Sequence, residues 1–223
     1  MSKKAITGWL VQTPLAVGLL FAGWGFDGLG GFFAHPARAG LLILVSINLI
    51  WIFAWRLEVQ AFRRGEKAPK RQPLTLGVVL ALGMSLIFFL PYADRCGLLT
   101  LPGPDSLRYL GLALYAAGNV IAFIALRELG RQYSGMVTLQ KDHQLIQRGI
   151  YGVVRHPIYL RALVVAVALP LLFRSWLLLP AAVLMAIFVA ARIRKEEHLL
   201  AEQFGEPYQA YCRRTWRLIP YVY

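Results

Sequence analysis

Arg155-His156-Pro157-Ile158-Tyr159 stands between a basic, polar stretch and a long apolar hairpin. Lipid offers imidazole and phenol groups no hydrogen bonds, so such groups at the rim of a membrane-buried segment line a site. Downstream of it lie two apolar runs, about 158–173 and 175–191, split by Arg174-Ser175, which predicts a tight helical hairpin. Upstream, further runs occupy about 9–26, 39–57, 73–92 and 107–126. With 58% hydrophobic residues in 223, the chain is too apolar for an ordinary soluble domain. The expected fold is an all-α integral membrane protein of about six transmembrane helices, the last two forming the hairpin.

The run at 9–26 follows Lys3 and Lys4, yet similar runs come after it and no small-residue cleavage site stands out, so it reads as a retained first span. One compact unit is expected, with amino-terminal transmembrane helices over 1–126 and a core with the hairpin over 127–223. After the hairpin, Glu196 to Phe204 continues as a helix out of the membrane. Gly205 ends it and Pro207 begins another, on which Tyr208 and Tyr211 share a face.

The formal charge of +13 would suggest nucleic acid in a soluble protein, but here its distribution decides. Of 24 Lys and Arg, only Arg38, Arg95, Arg108 and Arg174 fall in alternate loops. The others cluster at the amino terminus and over 56–71, 127–161 and 192–217. Six crossings put every such cluster, and both termini, on the cytoplasmic side of a membrane, as in a bacterial inner membrane; five would not. The charge then signals topology and attraction to anionic membrane lipids, and no nucleic-acid module is visible. Cys96 and Cys212 fall on opposite sides, so no disulfide is expected.

Gly23-x-Gly25-x-x-Gly28 satisfies the dinucleotide pattern but ends an apolar span and has no strand before it, so it is not read as a cofactor loop. His143 and His156 with Glu196 or Glu197 show none of the zinc spacings, and no metal is expected. His35 and His198 read as solvated loop histidines. The informative constellation is His143-Gln144-Leu145-Ile146, Gly149-Ile150-Tyr151, the Arg155 to Tyr159 run, Arg192 with Glu196-Glu197, and Phe204-Gly205-x-x-Tyr208-x-x-Tyr211.

This constellation resembles the isoprenylcysteine carboxyl methyltransferase family and its bacterial and phospholipid-methyltransferase relatives, over about residues 127–220. The resemblance implies an S-adenosylmethionine-dependent methyltransferase, with S-adenosylhomocysteine as product, whose cytoplasmic segment holds the cofactor. By position it assigns cofactor contacts to Met136, His143, Gln144, Leu145, Ile146, Tyr151, His156, Pro157, Ile158, Tyr159 and Glu196. It places Arg192 at a carboxylate acceptor. Relatives usually carry glycine after the motif tyrosine, where this chain has Leu160-Arg161, a difference that touches the entrance and substrate rather than the cofactor.

The residues suit those roles. Tyr151 or Tyr159 offers a ring for a flat adenine, Glu196 accepts from hydroxyl or ammonium groups, and aromatic faces attract a sulfonium. Arg192 and Glu196 are four apart and share one helical face. The expected acceptor is a lipophilic molecule arriving from the bilayer, with carboxyl O-methylation of an isoprenylcysteine-like substrate as the first reading. Methylation of a phospholipid amine or a small thiol is the alternative within enzymes, and a non-catalytic lipid-binding protein is the alternative outside them.

Overall fold

The computed structural model describes residues 15, 17–60, 73–130 and 145–222. A helical segment over 17–24, α1, leads through a 3-10 turn, Phe26–Gly28, into the short α2, Leu29–Phe33. The long helices follow: α3 (Pro36–Gln60), α4 (Pro73–Cys96) and α5 (Ser106–Leu129). A second 3-10 turn, Gly149–Gly152, precedes α6 (Pro157–Leu172), α7 (Leu178–Phe204) and α8 (Glu206–Arg214). Among the described residues there is no strand, only two isolated bridges, Thr100 with Ser175 and Val154 with Trp216.

Among the described residues, α5 and α6 form the most extensive helix pair. Gly111 makes this possible: a Cβ there would lie 2.5 Å from the Leu172 amide nitrogen and 2.7 Å from the Ala168 carbonyl. In lipid, helices gain little from excluding water, and close backbone approach at small residues supplies the van der Waals contact instead. The glycine pattern of the first span serves packing in the same way, since a Cβ at Gly23 would fall 2.0 Å from the Phe88 carbonyl oxygen of α4. Trp24, Phe32, Leu41, Leu90, Tyr115 and Leu172 then close one core. Phe21, Trp24 and Phe33 meet Phe32 edge-on at 5.5–5.6 Å, each contact adding about 0.5–1.5 kcal/mol.

The four arginines that depart from the charge pattern meet at one end of the fold, against three aspartates. Asp94 receives Arg38 at 2.9 Å and Arg108 at 2.7 Å, and all three side chains are largely buried. Arg108 also bonds Asp105 and the Leu172 carbonyl, and Arg174 reaches Asp105 at 3.3 Å. Arg95 pairs with Asp27 at 2.6 Å. His35, expected to be solvated, is instead largely buried, 3.4 Å from Asp105 with its ring against Tyr109. His198 is exposed as expected.

The hairpin turn is wider than Arg174-Ser175 alone, because it is tied to the loop joining α4 and α5. Leu101 donates to the Arg174 carbonyl and Trp176 to the Leu99 carbonyl, which delays the start of α7 to Leu178. By length and composition α5 suffices to cross a membrane alone, and Phe26–Phe33 with Pro36–Trp51 qualify together, bent by 105°. α6 is apolar but shorter, at 16 residues.

Candidate active site

At the end of the fold opposite the aspartates, α6 begins where His156 precedes Pro157, whose fixed φ and missing N–H suit the first helical turn. The carboxy-terminal chain pins this junction. Trp216 donates to the Val153 carbonyl at 2.9 Å, Arg155 N–H to Trp216 at 2.8 Å, and His156 N–H to Arg217 at 3.1 Å. That chain is brought back by Gly205, whose φ of 56° ends α7 and turns directly into α8. On α8, Tyr208 and Tyr211 are buried with rings 6.1 Å apart, the shared face read from their spacing.

Buried polar groups here satisfy one another. Tyr211 donates its hydroxyl to the Tyr151 carbonyl at 2.7 Å, and burial pushes its phenol up to about 12, so it remains a donor. Thr215 donates to the Tyr211 carbonyl at 2.7 Å, while the Arg155 guanidinium bonds the Cys212 and Thr215 carbonyls. Glu197 gathers the charges: Arg155 at 3.2 Å, Arg217 at 2.9 Å and His156 Nε2 at 3.4 Å. Burial pushes the Glu197 carboxyl up, but hydrogen bonds from His156 and Arg217 outweigh it and hold the group at about 2, against 4.5 ordinarily. A carboxyl depressed in the folded state contributes stability that is full above its unfolded pKa and lost as pH falls through the folded one. The protein should therefore lose stability between roughly pH 5 and 2. Glu197→Gln should flatten that slope, which stepped-pH thermal unfolding in detergent measures.

Glu197, not assigned a role from its position in the sequence, is the charge centre of this end of the fold. Adjacent helical residues diverge by about 100°, so one of Glu196 and Glu197 meets Arg155 and Arg217 while the other turns elsewhere. The doublet itself was the only signal. Glu196 accepts from the Tyr159 hydroxyl at 2.7 Å, and that same hydroxyl accepts from Arg192 Nε at 2.9 Å. Tyr159 thus links Arg192 to Glu196 across the hairpin, beside the His156 ring at 5.7 Å.

The remaining expected contacts divide by position. Met136, His143 and Gln144 lie outside the described residues. Leu145 and Ile146 are half-buried in the stretch before the 3-10 turn, and Tyr151 and Pro157 are buried. Ile158 packs on Leu126, as Trp51 does, which leaves its backbone rather than its side chain for a ligand on the Arg192 side. Arg161 also faces α5, donating to Asn119, which in turn accepts from Asn48. Among the described residues no group of side chains could hold a metal ion.

Among the described residues, fold and site together define an all-helical membrane fold that carries a polar, charge-lined site at one end of its α6–α7 hairpin. Residues 110–202 match the model of the isoprenylcysteine carboxyl methyltransferase (ICMT) family. Among similar proteins is protein-S-isoprenylcysteine O-methyltransferase B of Arabidopsis thaliana, 30% identical over 115 residues, which are 50% of this chain and 58% of the relative. The protein-S-isoprenylcysteine O-methyltransferase of Saccharomyces cerevisiae is 34% identical over 120 residues, 51% and 48% of the two chains. The chain thus spans about half the length of these curated relatives. The solved eukaryotic intramembrane Ras methyltransferase ICMT shares the fold with a TM-score of 0.60 at 19% identity, over 83% of this chain and 66% of that one.

Proposed function

We propose that this chain is a six-span, S-adenosylmethionine-dependent methyltransferase that esterifies the carboxylate of an isoprenylcysteine-like, lipophilic acceptor. The observation that carries the reading is the Arg192–Tyr159–Glu196 linkage at the inner end of the hairpin, inside the family-matched segment. The residues fit the cofactor. Tyr208, 3% exposed, has a hydroxyl without a hydrogen-bond partner among the described residues, close to Glu197 and Cys212. Buried hydroxyls are rarely left so, and a polar ligand with ribose hydroxyls would complete it. Glu196 and the His156–Tyr159 rings supply the acceptor and the aromatic faces that such a ligand needs.

S-adenosylmethionine supplies an electrophilic methyl group on a sulfonium when bound. A carboxylate acceptor is already ionised near neutral pH and needs no base. The work of the protein is to orient that carboxylate in line and to exclude water. Arg192, its plane fixed by the bond from Nε to Tyr159, orients it by a charge-assisted contact. An apolar groove of about 770 Å³ between α1, α4 and α7, lined by Leu19, Phe88, Leu184, Met185 and Phe188, ends one helical turn before Arg192. A hydrocarbon chain lying there brings its polar head to the site.

Purified protein in detergent should bind S-adenosylhomocysteine one-to-one by calorimetry, and Glu196→Ala should weaken binding by about 1.5–3 kcal/mol. Unchanged affinity would assign Glu196 to structure alone. Topology has its own test in the native cysteines, since Cys96 is exposed beside the aspartate end and Cys212 lies in α8 at the other. A membrane-impermeant maleimide applied to the outer face should label Cys96 and spare Cys212. Labelling of Cys212 from that face breaks the six-span arrangement.

A further inference from the structure

The stretch after α8 does two things at once. Its backbone holds the Arg155–His156 junction through Trp216 and Arg217, and its apolar side chains alternate between core and surface. Leu218 is buried in one cluster with Val189 and Ile193, against which Tyr159 and Phe188 pack, where the hairpin leaves its apolar part. Its neighbours are not: Trp216 and Ile219 are exposed, Tyr221 is 88% exposed and Val222 75%, with the Trp216 and Tyr221 rings 5.2 Å apart. Just before them Arg213 and Arg214 are exposed at the end of α8, Arg213 paired with the equally exposed Glu206 at 2.7 Å and Arg214 donating to Gln147 at 2.9 Å. Residues 206–222 carry three arginines against one acidic residue, Glu206.

Exposed aromatic and aliphatic side chains beside arginines, at the depth where a hairpin enters lipid, match the headgroup layer of an anionic leaflet. We propose that residues 213–222 dock on the anionic lipid surface of the cytoplasmic leaflet, and that this seating tightens the site by fixing the strap that hydrogen-bonds Arg155 and His156. Docking removes motion from a segment whose backbone closes the site, so a ligand binding afterwards has less order left to impose. The inference rests on the membrane and cofactor reading given above.

The test uses the full chain in nanodiscs of phosphatidylcholine alone or with roughly one-quarter phosphatidylglycerol. A fluorophore on Val222→Cys, in a Cys96→Ser/Cys212→Ser background, reports docking by quenching from headgroup-labelled nitroxide lipids. Calorimetry on the unlabelled wild type reports S-adenosylhomocysteine affinity. Expected are stronger quenching in the anionic discs and an affinity about five-fold tighter there. Arg213→Gln, whose guanidinium pairs with Glu206 on the same helix and touches no expected cofactor contact, should shrink both differences while leaving affinity in detergent unchanged. Equal quenching by the nitroxide lipids in both bilayers, as when another part of the chain covers the strap, overturns the docking. Docking with equal affinities overturns the coupling. Failure of S-adenosylhomocysteine to bind even in detergent counts instead against the cofactor reading, since the depth of the label does not depend on it.

Discussion

Arg192→Lys should lower turnover on a carboxylate acceptor by roughly 10²–10³-fold, in the range of removing one preorganised donor from a reacting oxyanion. Affinity for S-adenosylhomocysteine should change by no more than about two-fold, because the contact is made to the acceptor rather than the cofactor. Lysine keeps the charge but loses the planar fork. It cannot hold the Tyr159 hydroxyl from one nitrogen while fixing the direction of a two-donor edge, which is what the 2.9 Å bond from Nε does for arginine. Arg192→Ala should be no better. A cationic amine acceptor inverts the expectation, since a guanidinium beside it repels the substrate and its removal leaves or raises turnover. Parallel assays of the wild type and both variants, with affinity measured beside turnover, separate the two. Full turnover by both variants on a carboxylate would remove Arg192 from the chemistry.

Asp94→Ala should destabilise the fold by about 3–5 kcal/mol, the cost of leaving buried charge without its counterpart. Asp94 is 4% exposed and holds two arginines that are 11% and 9% exposed, one of which also bonds the Phe32 and Gly31 carbonyls and the other the Leu172 carbonyl. These contacts join α2, α3, α4, α5 and α6 at one end, so their loss loosens every interface there at once. Asp94→Asn should fare little better, because an amide retains an acceptor but not the charge that balances the arginines. The surface pair Arg95–Asp27 provides the contrast, and Arg95→Gln should leave the unfolding midpoint nearly unchanged. A detergent melting series decides it: an Asp94→Ala midpoint equal to wild type would show that the network is dispensable.

Several features were legible in the residues because they obey one-dimensional rules. Apolar runs located α3 to α6 and the start of α7 within a few residues, though α7 runs on past its apolar part to Phe204 as one helix, and Gly205 with Pro207 marked the break between α7 and α8. The four displaced arginines announced a separate end of the molecule, but their partners Asp27, Asp94 and Asp105 could not be paired with them, since pairing across 56 or 69 positions is a property of helix packing. The same limit applied at the site. Spacing put Arg192 and Glu196 on one face, yet that both meet through Tyr159 depends on how α6 and α7 cross. The role of the carboxy-terminal strap was invisible for a similar reason. Trp216 and Arg217 act through backbone groups, which leave no mark in the side-chain pattern.

Methyl transfer to a lipophilic carboxylate is tested most directly by incubating purified protein in lipid with methyl-labelled S-adenosylmethionine and an isoprenylcysteine acceptor, then treating the extracted product with base. Label should enter the acceptor and be released by base as methanol, the signature of an ester, and should be absent when the acceptor carboxylate is blocked. No incorporation by protein that binds S-adenosylhomocysteine, or label that survives base, would contradict it.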